Sequence, residues 1–213
     1  MKFKKTLLGL GALIVLIGGG FAATKAFAKN DTASADAAKS SQPKTTATTN
    51  KKAAAKPVEV SNMRKPIDWR LSSETIPYPN VAEHPNMWIH VSLKEQRVYL
   101  MDGDKVLYTM YASTGETAKG WGTPKGTFYI QAERGHYFYA PNVKEGAYDW
   151  VSFKGHGLYL FHSVPVDKAG NVIQEAADAQ GKSESSHGCV HLTMADSKWF
   201  YQNIKFNTKV VID

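Results

Sequence analysis

The sequence predicts a mainly β domain, sandwich-like or barrel-like, with a few short helices. Three observations carry this. Short runs rich in Val, Ile, Tyr and Phe recur across residues 88–162, turn residues separate them, and only one segment has a convincing helical start. Trp88-Ile-His-Val-Ser-Leu93 alternates apolar and polar side chains, and Arg97-Val-Tyr-Leu-Met101 follows it. Asp102-Gly103-Asp104 is a turn leading into a third strand, Val106–Ala112. Thr127–Gln131 and Leu158–His162 read as further strands, and Lys209–Ile212 as the last. Thr193-Met-Ala-Asp196 has the pattern of a helix N-terminal cap, with Trp199, Phe200 and Ile204 forming an apolar face behind it. Strands do not alternate with helices as a doubly wound parallel sheet requires.

Three regions are expected. Lys2, Lys4 and Lys5 precede the apolar stretch Thr6–Ala23, and Ala26-Phe27-Ala28 offers the small residues of a cleavage site, so residues 1–28 read as a signal peptide or membrane anchor. The 18 apolar residues are just long enough to cross a bilayer, so membrane contact, if the segment stays uncleaved, is through residues 6–23. Residues 29–57 are Ala, Ser, Thr and Lys with almost no large apolar side chain, a composition that cannot offset the entropy of ordering, and read as a disordered basic linker. Residues 58–213 are long enough for one domain with its own core. Export in either form places that domain outside the cytoplasmic membrane.

The net charge of +7 resides in the first two regions. Taking their ten lysines and two acids from 26 cations and 19 acids leaves 16 against 17 in residues 58–213. A near-neutral domain lacks the basic surface that nucleic-acid binding needs.

Cys189 is the only cysteine of the chain, so an exported form has no intramolecular disulfide to make. It sits in Ser186-His187-Gly188-Cys189-Val190-His191, downstream of His162, which ends a predicted strand. A thiol nucleophile needs a base to take its proton and backbone N–H groups aimed at the oxyanion it creates. His162 is the candidate base, with Ser163 beside it to orient the ring. The N–H groups of Gly188, Cys189 and Val190 are candidate oxyanion donors. Two other readings stay open: a buried inert thiol, and a zinc site using His187, Cys189, His191 and His162, for which the spacing is atypical and no Cys-x-x-Cys is present. Trp121, between Gly120 and Gly122 ahead of Thr123-Pro124, is the aromatic residue best placed to line a cleft, and Tyr159 is a second. Asp196 reads as a helix cap rather than a catalytic acid.

His162-Ser163 with the downstream Ser186-His187-Gly188-Cys189 resembles the motif of the L,D-transpeptidase catalytic domain family of bacterial cell-wall enzymes. The likeness extends over most of residues 86–213 and includes Thr114-Gly115 and Thr123–Phe128. It implies that Cys189 is the acyl-accepting nucleophile, His162 its base, the Ser163 carbonyl the support of the imidazole, and His187 and Gly188 the shapers of the oxyanion site. By the same resemblance position 191, here His191, carries a polar residue that orients the loop, and His191, Ser186, Trp121 and Tyr159 are the candidate substrate contacts. The resemblance implies peptidoglycan stem peptides as partners, a tetrapeptide donor and an amine acceptor, joined as a 3-to-3 crosslink through a Cys thioester with release of D-Ala. It also implies a carbapenem adduct and a place in cell-wall biogenesis and cell shape; thiol chemistry needs no metal or other cofactor, and a monomer acting in a Gram-positive wall is expected. A carboxypeptidase or endopeptidase using the same nucleophile, and a non-catalytic wall-binding module, are the alternatives. A sortase is disfavoured because no arginine follows Arg134.

Two departures from the family pattern stand out. Its usual Arg or Asn is replaced by His191, and 23 residues separate His162 from Ser186. The extra length, Pro165–Ser185, is expected to contain a turn at Asp167–Asn171 and a short helix at Gln174–Gln180, and to form a lid over the cleft.

Overall fold

The computed structural model describes residues 61–213. The expected export segment, residues 1–28, and linker, residues 29–57, lie outside the described residues. Nine strands form one sheet: β1 (Trp88–Ser92), β2 (Arg97–Asp102), β3 (Lys105–Ser113), β4 (Gly126–Tyr129), β5 (Arg134–Ala140), β6 (Glu145–Lys154), β7 (Tyr159–Ser163), β8 (Val190–Leu192) and β9 (Lys209–Ile212). Among the described residues two α-helices accompany them, α1 (Gln174–Ala179) and α2 (Met194–Asn203).

The spatial order is β4-β9-β1-β2-β3-β8-β7-β6-β5. Neighbours are antiparallel except for β1 with β9 and β7 with β8. The chain leaving β4 turns back to β6, where the Gln131 N–H donates to the Ser152 carbonyl (2.8 Å) and the Ser152 N–H to the Glu133 carbonyl (2.9 Å). That contact curls the sheet, so of the two shapes left open by the sequence it is the barrel-like one that forms.

Strand alternation selects the core. Ile89 and Val91 of β1, Val98 and Leu100 of β2, and Val210 and Ile212 of β9 point inward and are buried. Phe200 of α2 and Ile204 just after it close the open side, Phe200 packing on Phe161 of β7 with ring centroids 4.6 Å apart. The Asp196 N–H donates to Thr193 Oγ1 (3.1 Å), the expected N-cap. The Asp196 carboxylate is used elsewhere: it accepts from the Ser73 N–H (3.2 Å), the Ser73 hydroxyl and the Tyr78 hydroxyl (2.7 Å), tying the segment before β1 to α2.

The strands expected from the sequence are present within a residue or two of their expected ends. β5, β6 and β8 are additional. The 165–185 insert carries the expected short helix but is not a lid. Ala176 and Ala177 of α1 are buried with Val164 against Trp69, and the Gln180 side-chain amide donates to the carbonyls of Tyr111 (2.7 Å) and His191 (3.2 Å). Small alanines and a glutamine reaching two strand carbonyls make the insert a buttress behind β3 and β8. The β5–β6 hairpin supplies the wall beside the cleft instead.

Candidate active site

The parallel pairing of β7 and β8 sets the site. Phe161 lies opposite Val190 and His162 opposite His191. Side chains alternate across a strand, so Leu160 and His162 share a face with Cys189 and His191. All four line one cavity of about 400 Å³, with Phe138, Trp150 and Leu158 among its apolar walls.

His162 is buried, and its Nδ1 lies 2.7 Å from the Ser163 carbonyl. A carbonyl only accepts, so Nδ1 carries the proton and Nε2 keeps its lone pair. Burial lowers the imidazole to about 4, opposed by that hydrogen bond. The Ser163 hydroxyl does not touch the ring: it donates to the Val164 carbonyl (2.9 Å) and accepts from the Tyr148 N–H (3.0 Å).

Cys189 is half-buried, its sulfur 4.0 Å from the Leu158 carbonyl. Burial pushes the thiol up to about 11; a backbone contact at Leu160 opposes this and the Glu145 carboxylate adds to it. The two groups therefore rest as thiol and neutral imidazole.

The loop before the thiol is held from inside. Ser186 is fully buried; its hydroxyl donates to the Cys189 carbonyl (2.6 Å) and accepts from the Gly188 N–H (3.0 Å). The Gly188 N–H is thus committed within the loop, and of the expected oxyanion donors it is the one the structure withdraws. Ser186 is a loop brace, not a cavity-lining residue. Gly188 has φ +117°, and a Cβ there would lie 2.9 Å from Tyr159 Cε1. Tyr159 accordingly lies against Gly188 and outside the lining of the thiol cavity. Thr123 braces the loop from the other side, accepting from the Gly115 N–H (2.8 Å) and donating to the Gly188 carbonyl (3.0 Å). In the sequence Thr123 stood out only as the start of the Thr123–Phe128 segment that resembles the family, with no role of its own.

His191 is buried, its Nδ1 3.3 Å from the Ser185 hydroxyl and its ring 4.8 Å from that of His162. Burial first, then His162 and His187, hold its imidazole well below the usual range. His187 lies at the cavity edge between the Trp121 indole (4.3 Å between centroids) and the Glu145 carboxylate (3.5 Å). Trp121 does not line the thiol cavity; it faces a second cavity that shares only His187 and Glu145 with the first. Glu145 went unnoticed in the sequence because no motif surrounds it. Among the described residues no cluster of three or more His, Cys, Asp and Glu side chains is arranged to hold a metal.

The family model of the L,D-transpeptidase catalytic domain matches residues 86–212. A Bacillus subtilis (strain 168) protein named "Putative L,D-transpeptidase YciB" is 46% identical over 147 residues, 68% of this chain and 74% of its own. Among solved structures, an L,D-transpeptidase from Mycobacterium smegmatis has 18% identity and a TM-score of 0.49, covering 60% of this chain and 58% of that one. The L,D-transpeptidase LdtMt1 in complex with imipenem has 18% identity and a TM-score of 0.49, covering 60% and 59%. This chain therefore spans less than two thirds of the length of those solved chains. With a family model covering more than half of its length and a relative this similar, the chain belongs to the L,D-transpeptidase catalytic domain family.

Proposed function

We propose that the protein is a cysteine acyltransferase of the bacterial cell wall that forms 3-to-3 crosslinks between peptidoglycan stem peptides. The observation that carries this is the placement of Cys189 and His162 on one face of paired strands, in one cavity, with the imidazole held by the Ser163 carbonyl so that Nε2 is the basic nitrogen. In the first step His162 Nε2 takes the thiol proton as sulfur attacks the carbonyl before the terminal D-Ala. The S–C bond forms, the C–N bond breaks, and the imidazolium returns the proton to the departing amine. In the second step an amine of another stem attacks the thioester, a C–N bond forms, and the thiol is regenerated. The Ser186, Thr123 and Tyr159 contacts hold the loop that presents the sulfur. Charged thiolate is scarce at rest, so attack is coupled to proton transfer.

The expected export segment and linker support a site of action outside the membrane, with the domain reaching the wall as a monomer. Incubation with a purified tetrapeptide stem and mass analysis of products tests the reaction: release of D-Ala with a crosslinked dimer supports transfer. Release of D-Ala without a dimer indicates the hydrolase reading. Turnover that survives in Cys189→Ala removes the thiol mechanism altogether.

A further inference from the structure

Glu145 is the one carboxylate among the residues lining the thiol cavity, which contains no lysine or arginine. Its own partner is weak: His187 Nδ1 at 3.5 Å is at the outer limit of a hydrogen bond. A carboxylate held in a mostly apolar cavity with so poor a partner is under-compensated, and a cation arriving there would be stabilised. Burial keeps the carboxyl above its usual range, with His187 acting against that and Glu116 adding to it.

The position of Glu145 is as informative as its charge. Glu145 and His187 stand at the boundary of two cavities. The second contains Glu116, Glu175, Asp178 and Glu184, with Lys119 already paired to Glu116 at 2.7 Å. A cation approaching through that cavity moves down a favourable potential and meets Glu145 where the apolar cavity of Cys189 begins.

We propose that Glu145 selects and positions the acyl acceptor: its carboxylate receives the ammonium group of the second substrate at the edge of the thiol cavity. This rests on the acyl-transfer reading above. An alkylamine is cationic at neutral pH and must lose a proton before it attacks. In the balanced step the C–N bond forms and the C–S bond breaks. One amine proton reaches the sulfur through His162, and the other leaves to solvent. Glu145 contributes capture and orientation of the amine in competition with water.

The test uses the full chain, acylated at Cys189 by a tetrapeptide stem and checked by intact mass. Deacylation is then followed against two acceptors: a stem peptide bearing a lysine side-chain amine, and hydroxylamine, which is uncharged at neutral pH. Glu145→Gln is expected to raise the KM for the cationic amine about tenfold, with kcat changed less than twofold, because a charge-assisted contact is replaced by a neutral one. The KM for hydroxylamine should move less than twofold, and Glu145→Asp should recover part of the amine affinity. Equal losses with both acceptors would make Glu145 a merely structural partner of His187 and overturn the proposal, as would an unchanged KM for the amine. Absence of the acyl-enzyme in the wild type would instead remove the underlying transfer reading, and the proposal with it.

Discussion

The Nδ1 of His162 donates to the backbone carbonyl of Ser163 at 2.7 Å, and this contact fixes which nitrogen can act. A neutral imidazole bound in this way has one tautomer, with Nε2 unprotonated. Because the acceptor is a carbonyl rather than a carboxylate, it orients the ring without adding a full negative charge to hold an imidazolium. Burial then dominates, and the imidazole falls to about 4 while the thiol of Cys189 rises to about 11. The strand that carries His162 thus determines both the geometry and the resting protonation of the site.

Alkylation of Cys189 by iodoacetamide should follow from that state. With the thiol near 11, the rate should climb about tenfold per pH unit from pH 6 to 9 without a plateau. The neutral base should persist down to about pH 4, so the acidic limb of enzyme acylation should lie near that value. Stopped alkylation read by mass gives the first profile. A plateau with a midpoint near neutrality would indicate a preformed ion pair instead.

Gly188→Ala should disable the loop without unfolding the domain. A left-handed φ and a Cβ 2.9 Å from the Tyr159 ring force the loop to shift by a fraction of an ångström or more. Displacing the Cys189 sulfur by that amount should slow acylation about 100-fold. Tyr159→Phe keeps the ring and should keep the rate within about threefold, whereas a substrate-binding hydroxyl would cost more. Acylation rates for both variants, beside circular dichroism, decide between the two roles.

Thr123→Val removes the hydroxyl that bonds both Gly115 and Gly188. It leaves the Gly115 N–H buried without an acceptor, which should cost about 1–3 kcal/mol of stability in urea titration. Acylation should slow by at least tenfold, and Thr123→Ser should restore most of both losses.

Asp196 offers a stability test remote from the chemistry. Burial raises its carboxyl from 3.8 to about 6, although hydrogen bonds from Ser73 and Tyr78 oppose the shift. A carboxyl raised in the folded state binds its proton more tightly there. Its contribution to stability is therefore greatest below pH 4 and is lost as pH rises through 6, by about 3 kcal/mol. His162, with a depressed value, acts with the opposite sign, its contribution being lost as pH falls from 6.5 toward 4. Comparison of Asp196→Asn with wild type isolates the first effect: the variant's stability relative to wild type should improve between pH 4 and 7. A pH-independent difference in urea unfolding would contradict the assignment.

The sequence was most legible where one face of a strand is buried. Ile89 and Val91, or Val98 and Leu100, alternate because the core admits only every second side chain. The hairpin of β5 and β6 was not legible, because Tyr137, Phe138 and Tyr139 are consecutive aromatics on a partly exposed strand and Asp149 interrupts β6 with φ 52°. β8 is three residues long, too short for periodicity to register. Cys189 and His162 stood out in the sequence by the chemistry of their neighbours, and the structure brings both to one cavity. Ser186 and Tyr159 were placed in the site for contacts with substrate, but their side chains face the loop. Glu145 acquires its place only when the hairpin brings it to His187, a juxtaposition that 41 intervening positions conceal.

The most direct test of the central claim is the intact mass of the protein after incubation with a carbapenem, with peptide mapping of any adduct. The account predicts one drug-sized addition, located on Cys189, absent in Cys189→Ala and strongly slowed in His162→Ala. A folded wild-type protein that gains no mass, or gains it at another residue, would contradict the account.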